Sequence, residues 1–144
     1  MIKSFRGLLA DGGQDTIRLS TNNGLTGYKI KKFDIINNVP GTLDHESVVK
    51  IYTREQTTID GTVNFEDGGL LGVAFRSGDA TSNNYPEDIT VIFDNTVFNQ
   101  DVFITHKEVS GNAALMNYYL ELEQVKLDLG EATVATLKDM RGTE

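Results

Sequence analysis

The sequence has no cysteine, which excludes a disulfide framework, a thiolate nucleophile and any cysteine-ligated metal. It has no tryptophan, the flat aromatic surface on which sugar-binding modules rely most. Long hydrophobic runs are missing too. The longest, GLLGVAF at 69–75, is far below the roughly 20 residues that a bilayer-spanning helix needs. The opening MIKSFRGLLADGGQD has too short an apolar stretch and too early a turn for a secretory leader. Cations are outnumbered, with 13 Lys and Arg against 21 Asp and Glu and a net charge of −8. An acidic surface repels phosphate backbones, so neither nucleic acid nor a membrane is expected as a partner. The nearest approach to a basic cluster, Lys29, Lys31 and Lys32, reads as the solvated side of a strand. What remains is a chain of 144 residues, enough for one domain with its own core, suited to a reducing cytoplasm.

The dominant period is two. In GYKIKKFDII, Tyr28, Ile30 and Lys32 alternate with Lys31, Phe33 and Ile35; in ESVVKIYT, Val49, Ile51 and Thr53 alternate with Val48, Lys50 and Tyr52. ITVIFD, DVFITH and NYYLELEQVKLDL repeat the pattern with β-branched and aromatic residues, which suit a pleated, half-buried surface. In the last run the apolar face switches sides near Glu123–Val125, which predicts a bulge or a strand that serves two sheets. Turn signals such as ADGGQD, TNNGLTG, NNVPG, IDGT, EDGG and VSGN separate the runs. Many short strands punctuated in this way predict an all-β antiparallel sandwich with jelly-roll-like topology, one domain spanning 1–144. The polar segment 77–88 reads as the longest exposed loop.

One segment departs from the period. GEATVATLKDMR places Val134, Leu137 and Met140 at helical spacing, with Glu131 early and Lys138 and Arg141 late, the charges a helix dipole favours. A short C-terminal helix is expected within 130–144, as a docking segment. An isolated helix of this length is marginal in water. The stripe must therefore pack on its own sandwich or on a neighbouring subunit, and Val134, Leu137 and Met140 are the candidate subunit interface.

Candidate chemical sites reduce to a few. Asp94, Asn95, Asn99 and Asp101 crowd one connection, but a calcium loop needs six to eight converging oxygens. Apolar residues intervene here, and the side chains read as turn formers that bond their own backbone. His45 and His106 read as ordinary polar residues at a loop and a strand end. Glu121 and Glu123 share one face of a strand, as solvent-facing carboxylates do. No Gly-x-Ser-x-Gly elbow and no phosphate loop with its lysine occurs. No catalytic residue, metal or cofactor is expected, and the chain reads as a non-enzyme. A carbohydrate-binding sandwich stays open, with Tyr85 in the long loop as the candidate glycan contact.

The strings FDNTVFNQDVFITH, NYYLELEQVKLDLGEATVATLKDMRG and SFRGLLADGGQDTIRLSTNNG together resemble small proteins of marine tailed bacteriophages. Most of the chain takes part in the resemblance. It implies a virion structural protein, assembled in the host cytoplasm and acting through other virion proteins and further copies of itself. A capsid decoration or minor capsid role is the first expectation, and a tail or neck component the second. No individual functional residue follows from the resemblance.

Overall fold

The computed structural model describes residues 1–40, 44–78, 87–93 and 96–141. These residues form β1 (Ile2–Leu9), β2 (Gln14–Ile17), β3 (Thr26–Asn37), β4 (His45–Tyr52), β5 (Leu70–Gly78), β6 (Glu87–Ile92), β7 (Val102–Glu108), β8 (Met116–Lys126) and α1 (Leu129–Arg141). The strands build a three-stranded sheet in the order β1-β8-β3 and a five-stranded sheet in the order β2-β7-β4-β5-β6, all pairs antiparallel. Tyr28, Ile30, Phe33, Ile51, Ile104, Leu120 and Leu122 meet between the sheets in one buried core. Each such side chain contributes about 1.5–3 kcal/mol by leaving water.

The rungs β1–β8, β2–β7 and β4–β5 are those of a long hairpin rolled upon itself, the nested pairing of a jelly roll. The fourth rung is displaced. β6 stays hydrogen-bonded to β5, and the edge of β3 is met instead by one isolated bridge from the β6–β7 connection. There the N–H of Tyr28 donates to the carbonyl of Phe98 at 2.8 Å, and the N–H of Phe98 returns the bond at 3.0 Å. The two rings stack with centroids 6.3 Å apart.

A bulge corrects the simple alternation read for β3. Its register on β8 shifts between Ile30 and Lys32, leaving Lys31 as the extra residue. Tyr28 and Ile30 before it and Phe33 and Ile35 after it therefore all face the core, whereas unbroken alternation puts them on opposite faces. Lys31 and Lys32 both end up exposed. The bulge expected near Glu123–Val125 of β8 lies instead on this partner strand. The apolar switch in β8 has another cause: Val125 and Leu127 leave the main core and join a second cluster under α1.

The longest connection is 53–69, not 77–88, whose ends belong to β5 and β6. The 53–69 segment accompanies an outer face of the five-stranded sheet that is unusually dry. Val48, Lys50, Tyr52, Leu70 and Val73 are buried although they stand outside the main core cluster. The Lys50 amine, carried by β4, donates to the carbonyl of Thr62 at 2.6 Å and lies 3.5 Å from Asp60. The Gln14 side-chain amide donates to the Gln56 carbonyl at 3.2 Å and accepts the Gln56 N–H at 2.9 Å. The segment is thereby tied across the sheet.

Candidate functional site

Helix α1 begins where sequence chemistry dictates. The Asp128 carboxylate accepts the N–H of Glu131 at 2.7 Å, and the Glu131 carboxylate accepts the N–H of Asp128 at 3.2 Å, a reciprocal capping box. Two stripes then diverge along the helix. Ala132, Ala135 and Asp139, at i, i+3 and i+7, turn inward and are buried. The alanines pack in a cluster with Leu25, Val97, Val125 and Leu127, and their small side chains let the helix sit close to the strands. Leu129, Val134, Leu137 and Met140 turn outward, exposed by 75%, 66%, 51% and 69%. The expected stripe is thus not the one that docks on the protein's own sandwich. A stripe of alanines and one aspartate does that, and sequence reading missed it by weighting only the larger apolar residues.

Asn99 locks this arrangement. It is fully buried, and its amide donates to the carbonyls of Gly24 at 3.0 Å and Ala132 at 3.3 Å and to the Thr136 hydroxyl at 2.7 Å. Its backbone N–H donates to Asp139 Oδ2 at 2.8 Å. Burial raises the Asp139 carboxyl above its ordinary range, opposed by the backbone N–H groups of Asn99 and Gln100. Gly24 has a φ of +68°, and a Cβ there would lie 3.1 Å from the Asn99 amide nitrogen and 3.4 Å from the Thr136 hydroxyl. Asp101 does a similar task, accepting the N–H groups of Leu19 at 2.7 Å and Ser20 at 2.9 Å. Burial pushes its carboxyl up, but those donors and Arg18 outweigh burial and hold it low. Asn99 and Asp101 therefore satisfy distant backbone, where the sequence pointed to their own turn. Asp94, Asn95 and Tyr85 lie outside the described residues.

The other polar candidates are structural as well. His45 opens β4 and His106 lies inside β7, both buried, rather than at a loop and a strand end. His106 Nδ1 lies 3.1 and 3.2 Å from the carbonyls of Leu9 and Ala10, so it carries the proton and donates. Burial lowers the pKa of this ring and of His45, where Arg76 adds to the effect. Glu108 accepts the N–H groups of Glu46, Ser110 and Asn112 and the Ser110 hydroxyl, at 2.6–3.2 Å. Burial alone would raise its carboxyl, yet these donors bring it down to about 2. Among the described residues no group of three or more His, Asp or Glu side chains is placed to hold a metal.

The outer face of the three-stranded sheet differs from its covered counterpart. Cross-strand pairing places Arg6, Tyr119 and Asp34 in one row and Leu8, Asn117 and Ile36 in the next. They line an open groove of about 550 Å³, and Leu8 and Ile36 are exposed by 45% and 58%. Glu121 and Glu123 share this face, Glu121 accepting the Tyr119 hydroxyl at 2.6 Å. Leu8 and Ile36 are the readable signal here, apolar residues where alternation calls for polar ones.

No protein-family model, no curated protein and no solved structure matches the chain.

Proposed function

We propose that the chain is a structural subunit of a bacteriophage particle, a decoration or minor capsid protein that acts through protein–protein contact and not by catalysis. The observation that carries this reading is the outward stripe Leu129, Val134, Leu137 and Met140, held on a helix that Asn99 fixes to the sandwich. An apolar patch on a rigid element marks a contact surface more often than a solvated one. The buried ionisable groups support the same reading, since His106, Glu108 and Asp139 serve as backbone anchors. The resemblance to virion proteins supplies the particle, and the jelly-roll pairing is an architecture that viral capsid domains use.

Cryo-electron microscopy of the particle, with density assigned to this chain, tests the proposal. A place on the head, with α1 against a neighbour, is expected. A place in the neck or tail would select the second virion role, and absence from the particle would overturn the reading. Leu137→Asp should fold normally yet fail to join the particle. This point variant is preferable to truncation after Leu129, which would also remove the Thr136 and Asp139 groups that Asn99 needs.

A further inference from the structure

Two exposed surfaces of this chain fit each other, and they lie too far apart to meet within one molecule. The outward face of α1 follows the C-terminal end of β8, whereas the groove around Tyr119 lies toward the start of that strand. Residues 119 and 126 are separated by roughly 24 Å of extended strand. We propose that α1 of one copy seats across the groove of the three-stranded sheet in the next copy, a head-to-tail contact that repeats around a ring. The inference rests on the reading of α1 as a contact surface and names its partner.

The charges and spacings select the occupant. Along one edge of α1, Glu131, Val134 and Lys138 follow at i, i+3 and i+7, so the two charges stand about 10 Å apart along the axis. Across the sheet, Arg6, Tyr119 and Asp34 form one row, and two strand spacings put Arg6 and Asp34 about 10 Å apart as well. A helix crossing the strands from β1 toward β3 brings Glu131 to Arg6, Val134 over Tyr119 and Lys138 to Asp34. In the proposed contact Leu137 lies beside the next row, Leu8 and Ile36. Asp34 has only a loose, exposed pair with Lys32 at 3.7 Å, which Lys138 would share, and reversing the helix instead sets Lys138 against Arg6, like against like. The docked stripe, Ala132, Ala135 and Asp139, faces away from this contact, so one helix serves both at once. The same sandwich already covers the outer face of its other sheet with its own chain. This face is left for a neighbour.

A contact of this size is small for a stable pair. It is heterologous, so each copy can make it twice, and closure into a ring is the stable outcome. Cysteine pairing tests it directly, because the chain has no native thiol to interfere. Ile36→Cys and Leu137→Cys, both at exposed positions, are mixed under mild oxidation. The mixed disulfide is expected as the main product, and the double variant should give a ladder ending in a closed ring. As a second measurement, Asp34→Lys should lower the assembled fraction in sedimentation, and adding Lys138→Glu should restore it. Leu137→Cys paired with itself as the main product would mean that helices meet across a two-fold axis, and would overturn the proposal. A monomer at every concentration without the mixed product would also overturn it. In that case, loss of Leu137→Asp from the particle would still support α1 as the contact, with another protein as partner.

Discussion

The backbone N–H of Asn99 donates to Asp139 Oδ2 at 2.8 Å, so a residue that precedes β7 holds a carboxylate near the end of the C-terminal helix. The Asn99 side chain extends the junction to Gly24 and Thr136, joining three stretches of sequence at one buried point. Asn99→Ala removes the amide and leaves the Gly24 carbonyl and the Thr136 hydroxyl without their donor. The expected loss is about 2–3 kcal/mol, since buried groups deprived of a partner carry the full desolvation penalty. Hydrogen exchange should report it unevenly, with faster exchange in α1 and little change in β4 and β7. Equal acceleration everywhere would mean that the helix is not a separate unit of stability.

Gly24 and Gly12 separate backbone strain from crowding. Both have positive φ, +68° and +78°, but a Cβ at Gly12 meets nothing within 4 Å, whereas at Gly24 it meets Asn99 and Thr136. Gly12→Ala should cost only the left-handed strain, about 1 kcal/mol. Gly24→Ala should cost clearly more, because its neighbours cannot move without breaking the junction. Thermal melts of the two variants make the comparison, and equal shifts would discount the contact.

Acid should act through Glu108. Its carboxyl is lowered from 4.5 to about 2 in the folded protein, so the folded state favours the charged form. The stabilisation is complete above pH 4.5 and is lost as pH falls through that window. A shift of this size corresponds to roughly 3 kcal/mol. Asp139 works in the opposite sense, because burial raises its carboxyl and protonation relieves that burden. Denaturant titrations from pH 5 to pH 2 should show Glu108→Gln less stable than the parent at the upper end and nearly level with it at the lower end.

Lys50 tests the tie across the five-stranded sheet. Its amine is buried, bonded to the Thr62 carbonyl and placed 5.5 Å from the centre of the Tyr52 ring. Lys50→Met keeps most of the stem packing and removes the donor. Residues 53–69 should then open more often, and trypsin should cut after Arg54 faster than in the parent. Unchanged cleavage would show that the segment is held by its other contacts.

The fold class was readable because alternation, β-branched residues and turn signals agreed along most of the chain. What escaped reading has specific causes. One extra residue, Lys31, reverses the faces of β3, and period-two logic has no marker for it beyond the awkward KIKKF string. Ala132 and Ala135 carry the docking of α1, yet small residues make little impression on a hydrophobic pattern. Asn99 and Asp101 looked local because their partners, Gly24, Thr136, Leu19 and Ser20, are distant in sequence. The helical spacing of Val134, Leu137 and Met140 was legible, but not that the stripe turns outward, because spacing alone does not say which face of a helix meets its own sandwich.

The strand order of the smaller sheet also governs the order in which the protein can be made. β8 lies between β1 and β3, so these two strands, made earlier, have no partner in their sheet until β8 has followed. Until then the edges of β1 and β3 stay open, and pairings so remote in sequence form slowly. Lys3 and Arg6 on β1 and Lys29, Lys31 and Lys32 on β3 place charge along those waiting edges, where charged residues discourage a strand from joining the wrong chain. The lysines that read as the solvated side of a strand thus also charge an edge that must wait for its partner.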